Sequence, residues 1–130
     1  MTDQPRLVLT EIVLDGADAH ELFDFYHALV GGEQGSDEPD WVTLRPPAGP
    51  TLAFASEPHY VRPVWPTTPG DPQMMVHLDF QVDDLEAGVA FAVGLGAVEA
   101  AYQPQDDVRV LLDPAGHPFC LWVDPVEPRT

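Results

Sequence analysis

The chain has 130 residues, 45% of them hydrophobic, and a formal charge of −17 from 22 acidic and 5 basic side chains. This length and composition predict a single domain with one core, spanning residues 1–130. The acidity argues against nucleic acid and anionic membranes as partners, because both carry charge of the same sign.

The sequence shows no pattern typical of export or membrane insertion. No apolar run approaches the roughly 20 residues that cross a bilayer, and the N-terminus lacks a basic segment followed by an apolar core. The single cysteine, Cys120, excludes an internal disulfide and is typical of a reducing compartment. We therefore expect a cytoplasmic protein without a signal peptide.

The first half of the chain alternates β-rich runs with one amphipathic segment. Apolar and β-branched residues from Leu7 to Leu14 predict a strand. Asp18 is typical of a helix N-cap, and apolar residues then recur with helical spacing to about Val30, where Gly31-Gly32 ends the helix. Further strands are predicted at 32–36, 41–45 and 51–55, with a proline-rich turn at 46–50.

A connection follows at residues 57–73. Its five prolines exclude a helix or a central strand, so it is expected to join two halves of the domain. The second half repeats the pattern of the first, with Asp84 as N-cap and Gly96 as helix stop. Its predicted elements are a strand at 75–82, a helix to about residue 95, strands at 98–102, 108–112 and 119–123, and a turn at 113–118.

The two halves align when the first is shifted by 66 positions. The shift places Glu11 on His77, Asp18 on Asp84, Val42 on Val108 and Leu44 on Val110. One extra residue in the last turn makes the shift 67, which places Ala53 on Cys120. The repeat predicts an α+β fold of two βαβββ modules, residues 1–56 and 74–130, that form a curved mixed sheet with the helices outside.

Each predicted sheet has an apolar face for its helix and a second, open face. The apolar face would include Val108, Val110 and Leu112. The open face would carry Glu11, Val13, Trp41, Thr43, Arg45, Ala53, Ala55, His77, Asp79, Gln81, Arg109, Leu111, Cys120 and Trp122. Such a mixture suits the wall of a ligand cavity. A face merely open to water would explain the charges but not the tryptophans.

Four segments of the sequence carry a family resemblance. They are Asp24-Phe25-Tyr26 with Leu29-Val30-Gly31-Gly32, the run from His77 to Leu85, Gly94-Leu95-Gly96-Ala97, and the run from Asp113 to Leu121. With these segments the chain resembles the vicinal oxygen chelate superfamily, the glyoxalase, bleomycin-resistance and dioxygenase group. It is most similar to the glyoxalase-like domain proteins of that group.

The resemblance implies a metal site that this sequence fills only in part. Enzymes of the superfamily hold a divalent metal with His, Glu or Gln from four strands, and the repeat puts those positions at Glu11, Ala53, His77 and Cys120. A methyl group cannot ligate, and the thiol of Cys120 is a soft ligand that suits zinc. No cofactor is therefore expected. If a metal binds, we expect Glu11, His77 and Cys120 to hold it, with Asp79 as a substitute oxygen ligand.

Two functions remain open from the sequence. The leading hypothesis is a metal-independent protein that binds a small organic ligand and sequesters it, as antibiotic-resistance relatives do. Its expected ligand contacts are Trp41, Trp65, Asp79, Arg109, Cys120 and Trp122. The alternative is a divergent metal-dependent lyase, isomerase or dioxygenase in which His77 and Glu11 are catalytic.

Other roles are also open for several of these residues. His77 could be a hydrogen-bonded wall residue or a general base oriented by Asp79 or Glu11. Glu11 could form an ion pair with Arg109. Cys120 is expected to be unreactive, since no neighbouring feature lowers its pKa. An accessory module without a ligand is a third option, and the resemblance also implies a homodimer.

Overall fold

The computed structural model of the chain describes residues 5–124. Its elements follow the order predicted by the repeat, and the α+β fold of two βαβββ modules is confirmed. In chain order they are β1 Glu11–Gly16, α1 Ala19–Val30, β2 Glu33–Glu38, β3 Trp41–Arg45, β4 Thr51–Ser56, β5 Leu78–Gln81, α2 Leu85–Gly94, β6 Val98–Glu99, β7 Val108–Leu112 and β8 Pro118–Trp122. We call β1–β4 with α1 the first module and β5–β8 with α2 the second module.

The two modules contain four-stranded sheets of the same topology. The strand orders are β1-β4-β3-β2 and β5-β8-β7-β6. In each sheet the first strand pairs in parallel with the last strand of its module, and the remaining pairs are antiparallel. The mixed sheet predicted from the sequence therefore consists of two four-stranded sheets, each hydrogen-bonded within its own module.

The two helices begin and end where the sequence predicts. Asp18 caps α1, its carboxylate accepting the backbone N–H of His20 at 2.9 Å, and Asp84 caps α2 in the same way through Ala87 at 3.1 Å. These bonds satisfy N–H groups that the first helical turn leaves without partners. The caps therefore fix where each module leaves its first strand.

The first strands of both modules are shorter than the sequence predicts. β1 begins at Glu11 rather than Leu7, and β5 begins at Leu78 rather than Met75. The residues before them lack a partner strand, since β4 starts only at Thr51, opposite Glu11. The predicted strand at 98–102 likewise contains only two residues. β-propensity alone did not show these limits, because a strand needs a paired neighbour.

One hydrophobic core joins the two modules, and α1 lies at its centre. The ring of Tyr26 stacks on that of Phe54 in the first sheet, with the ring centroids 5.6 Å apart. The ring centroid of Phe25 lies 5.9 Å from that of Phe119 in the second sheet. Phe25 is 4% exposed, whereas Phe91 at the equivalent place in α2 is 53% exposed. The core is therefore asymmetric despite the repeat.

A buried polar network fastens the turn between β7 and β8 to the first module. The carboxylate of Asp113 accepts the Tyr26 hydroxyl at 2.7 Å and the backbone N–H groups of Ala115 and His117, both at 2.9 Å. His117 Nδ1 lies 2.8 Å from the same carboxylate. The Tyr60 hydroxyl donates to the Ala115 carbonyl at 2.6 Å, which attaches the connection (residues 57–77) to this turn.

Candidate functional site

Three chemically active side chains meet at the first and last strands of the second module. Asp79 of β5 lies opposite Cys120 of β8 on the same face, and His77 directly precedes β5. One nitrogen, oxygen or sulfur atom of each residue lies within 4.8 Å of the others. Strand alternation accounts for the grouping, because residues 77 and 79 project from one side of the sheet.

Asp79 holds this group together. His77 Nε2 lies 3.1 Å from Asp79 Oδ1, and the Cys120 thiol hydrogen-bonds the same carboxylate. Burial, followed by the charge and the hydrogen bond of Asp79, raises the pKa of Cys120 to about 11. The thiol is therefore protonated at neutral pH and is a poor nucleophile.

We expect iodoacetamide to alkylate Cys120 slowly below pH 9, with the half-maximal rate near pH 11. Asp79→Asn removes the charge that opposes thiolate formation, so the midpoint should move down without reaching the value of a free thiol, since burial remains. The measurement is the pH profile of alkylation by mass spectrometry, with the urea-unfolded chain as reference. An unchanged midpoint in Asp79→Asn would contradict the coupling.

Two adjoining cavities open beside these residues. The larger, about 300 Å³, is lined by His77, Asp79, Gln105, Asp107, Val108, Cys120, Trp122 and Val123. The smaller, about 140 Å³, is lined by Trp65, Met74, His77, Pro104, Gln105, Val108, Val110, Pro118 and Cys120. They share His77, Gln105, Val108 and Cys120. We call the two together the second-module cup.

The predicted faces of β7 are wrong. Val110 lies opposite Cys120, and Leu111 lies opposite Phe119 and belongs to the core. Val108 and Val110 therefore line the cup instead of facing the helix, and Leu111 does the reverse. A shift of one residue exchanges the two faces of a strand. The alignment of the two halves was displaced by one residue at β7, so it assigned the side chains of β7 to the wrong faces.

Arg109 consequently lies on the helix side of the second sheet and does not line the cup. Its Nε is 4.0 Å from the Glu99 carboxylate, and its Nη1 donates to the carbonyl of Asp106 at 2.9 Å. It borders a groove with residues of α2. The ion pair of Arg109 in the structure is with Glu99 and not with Glu11, the partner that the sequence left open, and Arg109 does not line the cavity of His77.

The first-module candidates are not part of the cup. Trp41 lies opposite Ala55 in the first sheet, and Ala53 is fully buried opposite Val13. Glu11, at the start of β1, is half-buried and lies outside the His77–Asp79–Cys120 group.

By contrast, the structure brings His77, Asp79, Cys120 and Trp122 together in the larger cavity and puts Trp65 in the smaller one.

The four-residue metal site implied by the resemblance does not fit these residues. Its position at Ala53 has no donor atom in the side chain, and Glu11 is not among the donors that lie within 4.8 Å of one another. What the residues 5–124 offer is one group of three donors from a single module, with nitrogen, oxygen and sulfur atoms. Within this group, His77 already pairs with the Asp79 carboxylate at 3.1 Å, and the Cys120 thiol hydrogen-bonds the same carboxylate.

Sequence reasoning missed Gln105 and Asp107, which complete the wall of the larger cavity. Both lie between β6 and β7, in a segment without regular structure. A single sequence marks such a segment as a loop but does not say which cavity it borders. The correct register of β7 would have indicated Gln105 and Asp107, because it turns the next residue, Val108, toward the cup.

Comparison with known proteins agrees with this fold. The model of the family described as glyoxalase-like domain matches residues 11–122. No curated protein sequence matches the chain. Within the residues described, no helix is long and apolar enough to span a membrane.

Solved structures with the same fold come from several bacteria. A glyoxalase/bleomycin resistance protein/dioxygenase family enzyme from Burkholderia phytofirmans PsJN has a TM-score of 0.65 at 18% identity, covering 88% of this chain and 96% of its own. TnmS3, an antibiotic binding protein from Streptomyces sp. CB03234, has 0.60 at 20%, covering 93% and 98%. Lactoylglutathione lyase from Agrobacterium tumefaciens has 0.58 at 17%, covering 92% and 96%. At these identities the likeness shows the fold alone.

Proposed function

The chain belongs to the glyoxalase-like domain family, and from that premise we propose that it binds a small organic molecule in the second-module cup without a metal ion. Binding would sequester the molecule rather than transform it. The observation that carries the proposal is the convergence of His77, Asp79 and Cys120 with Trp122 on one cavity. Small-molecule sites typically combine apolar walls with a few converging polar groups. Here the smaller cavity supplies most of the apolar wall and the larger one most of the polar groups.

The polar groups of the cup are suited to recognition rather than to covalent chemistry. The protonated thiol of Cys120 cannot act as a nucleophile at neutral pH. The Asp79 carboxylate and the Gln105 amide can hydrogen-bond a ligand, and Trp122 offers apolar surface. A structural neighbour named as an antibiotic binding protein supports this class of function.

The test is a ligand screen by thermal shift and native mass spectrometry on the full chain. A ligand at about 100 times its Kd stabilises the fold by about 2.7 kcal/mol, which raises Tm by several degrees. Trp122→Ala should abolish the shift, and Trp41→Ala, the matched change in the first module, should retain it. Equal losses in both variants would show that the site spans the two modules and would overturn the proposal.

A metal-dependent lyase, isomerase or dioxygenase is the second candidate function. The three donors within 4.8 Å of one another favour it. If a metal bound there, His77, Asp79 and Cys120 would hold it, and it would act as a Lewis acid. This set has Asp79, the substitute oxygen ligand expected from the sequence, in place of Glu11.

Elemental analysis of the purified protein separates the two functions. We expect less than stoichiometric zinc, nickel, manganese and iron, and ligand binding that survives treatment with a chelator. His77→Ala should then leave the metal content unchanged. Stoichiometric metal that is lost with His77→Ala would favour the enzyme instead.

A further inference from the structure

We infer that the second-module cup selects an organic cation, a protonated amine attached to an apolar body. The inference rests on the proposed function and assigns a charge class to its ligand. The larger cavity would take the ammonium group, beside Asp79 and Asp107. The smaller cavity would take apolar atoms of the body, beside Trp65, Met74 and Val110.

The cup is lined by two carboxylates, with His77 as its basic side chain, 3.1 Å from Asp79. Asp79 and Asp107 are the charged side chains of the larger cavity, and neither cavity is lined by an arginine. The whole chain contains no lysine. The Asp79 carboxylate already contacts His77 and Cys120. By contrast, no hydrogen bond or ion pair joins the Asp107 side chain to another residue between 5 and 124. Among the residues that the structure describes, Asp107 is therefore the carboxylate of this cavity whose side chain has no partner.

Three of the arginines that the structure describes are engaged elsewhere. Arg45 pairs with Glu33 at 3.3 Å in the first sheet, and Arg62 donates to the Pro114 carbonyl at 2.8 Å. Arg109 lies on the opposite face of the second sheet. A carboxylate or phosphate in the cup would meet the carboxylates of Asp79 and Asp107, while the imidazole of His77 already contacts Asp79 and no guanidinium lines either cavity. Anionic ligands are therefore disfavoured.

Trp122 adds a second reason for a cation. Its indole lines the same cavity as the two carboxylates, and aromatic rings attract ammonium groups through their negative faces. The pairing of carboxylate and indole gives a cation two kinds of partner, whereas a neutral alcohol gains only hydrogen bonds. The overall charge of −17 also attracts cations, so the experiment must separate a local site from this general field.

Three probes of one shape make the test: 4-phenylbutylammonium, 4-phenylbutanol and 4-phenylbutyrate. Titration calorimetry with the full chain at pH 7.5 and 150 mM NaCl measures each Kd. We expect the ammonium to bind at least about tenfold tighter than the alcohol, as a charged hydrogen bond does relative to a neutral one. The butyrate should show no binding.

Matched variants place the effect in the cup. Asp107→Asn and Asp79→Asn should each weaken ammonium binding about tenfold and leave alcohol binding within about twofold. Asp106→Asn makes the same change of charge one residue away from Asp107, and Asp106 does not line the cup. It should change the Kd by less than about twofold, because charges exposed to water are screened at this salt concentration.

Each other outcome overturns the cation assignment. Equal affinity for all three probes would leave a binding cup and remove its charge preference. Equal effects of Asp106→Asn and Asp107→Asn would attribute the preference to the general field. No binding of any probe would also remove the assignment, and the proposed function would then depend on the ligand screen with neutral compounds.

Discussion

Replacing Asp113 with alanine is expected to lower the free energy of unfolding by about 3–5 kcal/mol, as breaking a buried hydrogen-bonded charge network does. The Asp113 side chain is fully buried and accepts hydrogen bonds from Tyr26, Ala115 and His117. Burial and the neighbouring carboxylate raise the pKa of Tyr26, so its hydroxyl keeps its proton and remains a donor. The alanine variant leaves the Tyr26 hydroxyl and the Ala115 N–H buried, and the His117 N–H partly buried, without this acceptor.

Urea denaturation followed by circular dichroism measures this change. Asp106→Ala, an exposed aspartate of the same chain, should cost less than about 0.5 kcal/mol and serves as the control. Tyr26→Phe removes one donor and should cost about 1–3 kcal/mol. In a double-mutant cycle the two losses should be less than additive, because both changes remove the same bond. A loss below about 1 kcal/mol in Asp113→Ala would contradict the network.

Gly32→Ala is expected to be the second costly change, at about 3–4 kcal/mol from backbone strain and overlap combined. Gly32 has a φ of +100°, and a Cβ there would lie 2.2 Å from the Arg45 carbonyl oxygen and 2.8 Å from the Pro46 Cα. Both are backbone atoms of the neighbouring chain segment, so β2 and β3 would have to separate. The entry into the first sheet from α1 would be displaced.

Gly49→Ala is the matched control for backbone strain. Gly49 has nearly the same φ, +97°, and a Cβ there meets nothing within 4 Å. It should therefore cost only about 1–2 kcal/mol, the price of the left-handed conformation alone. Thermal unfolding of both variants measures the difference. Equal losses would mean that strain, and not the contact with Arg45, limits this position.

The two modules share a fold but not a role. α1 contacts both sheets through Phe25 and Tyr26, so the first module supplies the core on which the second is held. The cup lies in the second module and the connection. The Asp113 network joins these parts, because its turn leads directly into β8, which carries Cys120. Loss of the network should therefore disturb the cup as well as the stability of the fold.

The candidate site was partly predictable from the sequence. His77, Asp79, Cys120 and Trp122 share a face because β5 and β8 alternate regularly, and the repeat located both strands. Arg109 was misplaced because Val108-Arg109-Val110-Leu111-Leu112 has apolar residues at both parities. The alternation of apolar and polar residues could therefore not decide which face of β7 is buried. The one extra residue of the second half lies before β7, whereas the alignment of the two halves placed it in the turn after β7.

By itself, the sequence determined the two βαβββ modules, the helix caps at Asp18 and Asp84, and the disruption of residues 57–73 by proline. The caps and the effect of the prolines depend on neighbours within a few positions, and the modules follow from these local patterns recurring at a shift of 66 positions. Only the tertiary structure decided the register of β7, the separation of Glu11 from His77, and the closing of the cup by Trp65, Gln105 and Asp107. Those depend on hydrogen-bond partners and packing between segments far apart in the chain, which one sequence does not encode in any local pattern.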